Sequence, residues 1–168
     1  MLVDSHCHLD FPAFADDLDG AVARARAAGV GTMLTIGTKL SAFPGVRAVA
    51  AAHEGIYCSV GIHPHEAEAE PDVQAAQLLA YKDDPKIVAF GETGLDYFYE
   101  HAPREAQKAN FRAHIEAART AGLPVIVHTR DADEDTEAIL TEEMGKGGFT
   151  GVLHCFTSGA RLARAAVD

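Results

Sequence analysis

Tryptophan is absent from the chain, and no stretch approaches the roughly 20 consecutive apolar residues that a membrane-crossing helix needs. The amino terminus also lacks the basic, apolar and small-residue segments of a secretory signal, so the sequence reads as unexported and cytoplasmic. Cysteine is scarce. Cys7, Cys58 and Cys155 are odd in number, far apart and without a Cys-x-x-Cys pair, which argues against a disulfide scaffold and fits a reducing compartment. Each is read as a small buried hydrophobe on a strand. Positive charge is scarce as well: 14 Lys and Arg stand against 25 Asp and Glu, the net charge is -11, and no basic stripe exists. That excludes a broad phosphate-binding surface, so a phosphate-bearing substrate would have to be held by bound cations and a few local groups. No glycine-rich loop follows the first apolar segment, which weighs against a dinucleotide fold.

What the chain does have is one core's worth of apolar residues and a repeated grammar. Its 168 residues, 48% of them hydrophobic, suit a single domain over 1–168. Short apolar strands are read at the opening Leu2–Leu9 stretch and at 31–36, 56–62, 86–90, 123–127 and 150–153. Helical patterns lie between them at 14–28, 44–53, from Pro71, at 103–121 and at 133–144, and the chain stops inside what reads as one more helix. Alternating strands and helices predict an α/β protein with parallel strands and helical crossovers. An open doubly wound sheet or a barrel would both satisfy that pattern. The strands run into His or Glu at their carboxyl ends, where barrel enzymes place their chemistry, so a TIM-type (β/α) barrel is expected, with about six of its eight strand-helix units present.

The candidate site begins with His6 and His8, one residue apart at the end of the first strand. Period-2 alternation points both the same way, which lets them grip one metal ion. Glu92 after the fourth strand, His128 after the fifth and His154 after the sixth should project from the same end of the sheet. Five protein ligands are too many for one catalytic ion, which normally takes three and keeps a position open, so a two-metal site is expected. Glu92 is the lone carboxylate and the natural bridge, with a catalytic part in hydrolysis by a metal-activated water. Imidazoles suit Zn and carboxylates suit Mg or Mn, which leaves the identity of the two divalent ions open. His53, His101 and His114 are read as ordinary surface or helix-packing residues, and the acidic run 66–72 as a solvated loop and helix start. Asp131, Asp133, Glu134 and Asp135 are read as favouring the following helix's amino end, and Asp4 and Asp10 as supporting the histidines.

Five ordered stretches carry a resemblance: DSHCHLD at 4–10, GIHPH at 61–65, GETGLDY at 91–97, PVIVHTRDA at 124–132 and GVLHCF at 151–156. Together they are similar to the successive motifs of the TatD family of metal-dependent hydrolases and DNases, among the amidohydrolase-like barrels. The resemblance implies divalent-metal-dependent hydrolysis of phosphodiesters, usually DNA, from single strands or 3′ ends, with no membrane or obligate protein partner. By the same resemblance His6, His8 and Glu92 hold one ion and Glu92, His128 and His154 the other. His63 and His65 lie near the substrate, and Asp96, Tyr97 and Arg130 line the mouth. The family adds an aspartate ligand after a later strand and two further strand-helix units. Neither is among these 168 residues, so the chain is expected to be truncated at its carboxyl end, with its first metal site short of a carboxylate. Two other classes stay open: a hydrolase of small esters, amides or phosphate esters on the same barrel, and an inactive metal-binding member.

Overall fold

A computed structural model describes residues 1–167. Six strands form one parallel sheet in chain order: β1 Leu2–Cys7, β2 Val30–Thr35, β3 Ile56–Val60, β4 Ile87–Asp96, β5 Val125–Arg130 and β6 Gly151–Leu153. Helices return the chain between them: α1 Leu18–Ala27, α2 Phe43–Ala52, α3 Ala75–Leu79, α4 Arg104–Ala121 and α5 Asp133–Gly145, with α6 Ala160–Ala165 after the last strand. Parallel neighbours cannot be joined by tight turns, so each crossover lays a helix on the sheet and the strands curl into a half-barrel. Leu2 and Val3 on β1 and Val152 on β6 stay exposed at its two edges. No helix among the described residues is long and apolar enough to cross a membrane.

Alternation along the strands decides what faces the helices. On β5, Val125 and Val127 enter the main core, whereas Ile126 joins Leu34, Ile36 and Ala89 in a small cluster on the other face. His128 and Arg130 continue that second face. β4 breaks the rule once. Phe90 is in the main core, and strict alternation would put Glu92 beside it. A register shift against β5 between Phe90 and Thr93 inserts an extra residue, which turns Glu92 and Asp96 to the histidine side and Leu95 to the core.

Helix α4 anchors the same end of the sheet. Phe111, Ile115 and Ala118 recur at helical spacing and are buried, and Gly122 ends the helix in the left-handed region at φ 68°. Beside that apolar stripe lies a buried polar one. Gln107 Oε1 accepts from the Asp96 N–H at 2.7 Å, Asn110 Nδ2 donates to the Ile62 carbonyl at 2.9 Å, and His114 Nε2 accepts from the Ile62 N–H at 3.1 Å. The Asp96 N–H at the end of β4 and both backbone groups of Ile62 after β3 are thereby satisfied by side chains.

Several boundaries differ from the sequence reading for local reasons. No helix starts at Pro71: the chain turns there, and α3 begins only after Gln74, whose side chain forms a reciprocal capping box with Gln77. The first helical pattern splits into a 3-10 turn at Pro12–Phe14 and α1. β4 runs six residues past Phe90, so Glu92 and Asp96 lie within a strand. Cys58 is buried on β3 and Cys7 is partly buried on β1, but Cys155 is exposed in the turn after β6. Burial pushes both Cys7 and Cys58 up to about 12, which leaves them inert thiols.

Candidate metal centre

Four histidines from four separate segments converge on one carboxylate. Glu92 is buried, and its Oε1 lies 3.0 Å from His128 Nδ1, 3.2 Å from His154 Nε2 and 3.6 Å from His63 Nε2. Its Oε2 lies 3.1 Å from His6 Nε2. His8 falls one residue beyond β1 but keeps the alternation, with its ring 5.2 Å from that of His6. Potential ligand atoms of His6, His8 and Glu92 lie within 4.8 Å of one another, and the same holds for His63, Glu92 and His128. His154 is stacked on His6, ring to ring at 3.7 Å. Thus the structure gathers the other four sequence-derived ligand candidates, His6, His8, His128 and His154, around Glu92 and brings His63 into the same cluster.

The electrostatics follow from one anion among imidazoles. Burial raises the Glu92 carboxyl, but hydrogen bonds from His128, His154 and His6 outweigh it and hold the group well below the usual carboxylate range. Burial lowers His63 to about 3, so it is a neutral imidazole, and its Nδ1 accepts from the His65 N–H at 3.2 Å. His8 is lowered for the same reason, reinforced by neighbouring His6. His128 moves the other way: burial lowers it, yet hydrogen bonds to Glu92 and Asp96 prevail and raise it.

A second carboxylate, Asp96, holds His128 and His65 from behind. Asp96 is wholly buried, with Oδ2 3.0 Å from His128 Nε2 and 2.9 Å from His65 Nε2, and Oδ1 accepting from the N–H groups of Phe98 and Tyr99. It grips the far nitrogen of His128 and so aims Nδ1 at Glu92, the arrangement by which an outer carboxylate orients a metal-binding imidazole. Burial raises Asp96, but the Tyr99 N–H, His65 and His128 together hold it low.

Glu92, His6, His8, His63, His65, His128 and His154 line a cavity of about 530 Å3 that also includes Phe11, Thr38 and Glu66. Tyr97 is outside it: its hydroxyl donates to Asp135 Oδ2 at 2.6 Å and its ring lies 4.0 Å below the Arg104 guanidinium. Arg130 stands over the rings of Phe98 and Tyr99, and Tyr99 lies edge to face with His65. Sequence reading missed Phe11, Phe98 and Tyr99 around the site and Gln107, Asn110 and His114 beneath it. The last three had a signal, since polar residues at spacings of three and four interrupt the inner stripe of α4.

The donor set fits divalent cations. Neutral imidazoles and a shared, ionised carboxylate are the ligands such ions take, and His8 Nδ1 is buried with no hydrogen-bond partner. The family model described as TatD related DNase matches residues 3–168. The chain belongs to the TatD-related DNase family. It is 39% identical over 170 residues to the uncharacterized metal-dependent hydrolase YcfH of Escherichia coli K12, covering 99% of this chain and 63% of that protein. It is 38% identical over 156 residues to the 3′-5′ ssDNA/RNA exonuclease TatD of Enterobacter lignolyticus, covering 93% and 60%. The crystal structure of the TatD homologue YJJV from Escherichia coli K12 superposes with a TM-score of 0.88 at 32% identity, over 99% of this chain and 64% of that one. The chain therefore spans somewhat under two thirds of the length of these TatD-family relatives.

Proposed function

We propose that this chain carries the metal centre of a divalent-metal-dependent hydrolase that cleaves phosphodiester bonds in nucleic acid, removing nucleotides from the 3′ end of single strands, with residues 1–168 acting as one domain. The observation that carries the reading is the buried Glu92 carboxylate with His6, His63, His128 and His154 within 3.6 Å. His6, His8 and Glu92 would hold one ion, and Glu92 with His128 and either His63 or His154 the second. When bound, such a pair of Mg, Mn or Zn ions supplies Lewis acidity and a nucleophilic water at neutral pH. The name of the Enterobacter lignolyticus relative supports a nucleic-acid substrate.

The chain's own groups have separable tasks. Glu92 keeps its negative charge through its histidine hydrogen bonds and can therefore bridge two cations. Asp96 fixes the orientation of His128 and His65. His63 and His65 form the wall on the side of the cavity toward Arg130, where a phosphodiester would lie. The acidic composition favours a second reading, a small phosphate ester or other small ester as substrate, because the net charge of -11 repels a polyanion.

One assay separates these readings. The protein is incubated with Mg, Mn or Zn and offered a 3′-labelled single-stranded oligonucleotide beside small phosphate and carboxylate esters. Nucleotide release that falls about a hundredfold or more in Glu92→Gln is expected. Turnover of small esters alone, or undiminished release by Glu92→Gln, contradicts the proposal.

A further inference from the structure

Arg130 is the odd cation of this protein. Every other Lys and Arg side chain reaches a carboxylate or a backbone carbonyl: Arg26 and Lys86, for example, cap carbonyls, and Arg112 and Arg119 hold Glu143. Arg130 alone has neither among the described residues. Its guanidinium stands 4.0 Å from the ring centre of Phe98 and 4.8 Å from that of Tyr99. Those rings are themselves anomalous, since Phe98 is 54% and Tyr99 49% exposed although both follow directly on the buried strand β4. Single exposed aromatics need no explanation, but two adjoining ones under a guanidinium with no ion-pair partner among the described residues do.

Their position is fixed from below by the same carboxylate that orients the metal centre. Asp96 Oδ1 accepts from the N–H groups of Phe98 and Tyr99 while Oδ2 holds His65 and His128. Tyr99 lies edge to face with His65 at 5.5 Å, and His65 lines the cavity around Glu92. The patch is therefore one side chain away from the candidate metal centre.

We propose that the exposed ring of Phe98, held edge to face against Tyr99 at 4.7 Å and backed by Arg130, forms a stacking platform for an unpaired nucleobase whose adjoining phosphodiester lies in the Glu92 cavity. The inference rests on the phosphodiesterase reading above and names what that site recognises. More than half of Phe98 is left in water by the fold, and a base laid on its ring buries apolar area on both partners, worth about 1–3 kcal/mol per base and tolerant of sequence. A guanidinium stacked on rings keeps its N–H edges free for a phosphate oxygen. The site needs such a grip, because a chain of net charge -11 cannot hold a strand by diffuse attraction to phosphates. Duplex bases hide both faces in the stack, so the platform selects single-stranded ends. Phe11, the other exposed ring at the cavity, is stacked on His8, so altering it would disturb a ligand candidate as well.

The test measures binding by fluorescence anisotropy, using a short single-stranded oligonucleotide with uncleavable phosphorothioate linkages and the same oligonucleotide with abasic residues at its last two 3′ positions. The metal-loaded protein should bind the intact strand about tenfold more tightly than the abasic one. Phe98→Ala combined with Tyr99→Ala should reduce the intact strand to the abasic level and leave the abasic strand unchanged, while Phe98→Trp should retain the preference. Equal binding of both strands by the unaltered protein, or an equal loss for both in the double variant, overturns the platform. Cleavage of ordinary strands, assayed alongside, keeps the two ideas apart. Cleavage without base preference sinks the platform alone, and base-dependent binding without cleavage under any metal sinks only the phosphodiesterase reading.

Discussion

A buried carboxylate ordinarily takes up a proton to escape low dielectric, and Glu92 does the opposite because His6, His128 and His154, from three separate segments, donate to it. That inversion suits the group to bridge cations. His114 shows the other outcome of burial. Fully enclosed between α4 and the segment after β3, it is pushed down to about 4 and stays neutral, accepting from Ile62 N–H. An unfolded chain has its histidines near 6.5, so between pH 6.5 and 4 the unfolded state binds the extra proton. The stability contributed by neutral His114 is thus fully present above pH 6.5 and is lost as pH falls toward 4, at about 1.4 kcal/mol per pH unit and about 3 kcal/mol in all. Urea unfolding at pH 7 and pH 5 should show this loss, and His114→Gln should be less acid-sensitive by about 2 kcal/mol over that interval. An identical acid response in the variant would contradict the assignment. The roles of single residues could be read from sequence only where a strand delivered them in phase. His6, His8 and His128 met that condition. Cys155 did not, because a turn rather than a strand carries it.

β4 and β5 together carry Glu92, Asp96, His128 and Arg130, and their separation depends on Gly94. Its φ of 132° suits only glycine, and an added Cβ would collide with the carbonyl oxygen of His128. Gly94→Ala should lower stability by about 2 kcal/mol and weaken metal binding at least tenfold, because it pushes apart the two strands that share the carboxylates. Gly148→Ala, where an added Cβ meets nothing, should change neither; thermal unfolding and metal titration of the two variants read out both effects. The six-strand alternation was visible in the sequence because each strand is a short apolar run closed by polar residues. The bulge that turns Glu92 out of the core was not, since a register shift depends on the neighbouring strand and leaves no local mark. The late start of α3 was hidden similarly: Pro71 offers a helix start, but the Gln74 and Gln77 side chains cap the chain three residues further on.

Across the assembled half-barrel, chemistry and charge are separated. The histidines and Glu92 gather at the carboxyl ends of the strands, while ion pairs such as Arg47 with Asp84 and Arg161 with Glu137 lie elsewhere on the surface and neutralise most of the few cations. A nucleic acid strand bound here meets Arg130 and the metal centre and little other positive charge. Binding of a single-stranded oligonucleotide should therefore depend weakly on salt, with a slope of log K against log salt of about -1, the value for one or two phosphate contacts. A slope of about -4 or steeper would show a basic surface that the charge distribution does not contain. The family resemblance and the fold class could be inferred from ordered motifs, because each motif is the carboxyl end of one strand and the barrel geometry brings those ends together. The aromatic rim around Arg130 required coordinates, since Phe98 and Tyr99 look like any strand residues until their exposure is seen.

The central claim is that Glu92 bridges two divalent cations. Anomalous diffraction from crystals of this protein grown with Mn or Zn tests it directly. Two peaks roughly 3.5 to 4 Å apart, one contacted by His6 and His8, the other by His128, and both by Glu92, are the expected result. A single peak away from Glu92, or no peak at saturating metal, would contradict it.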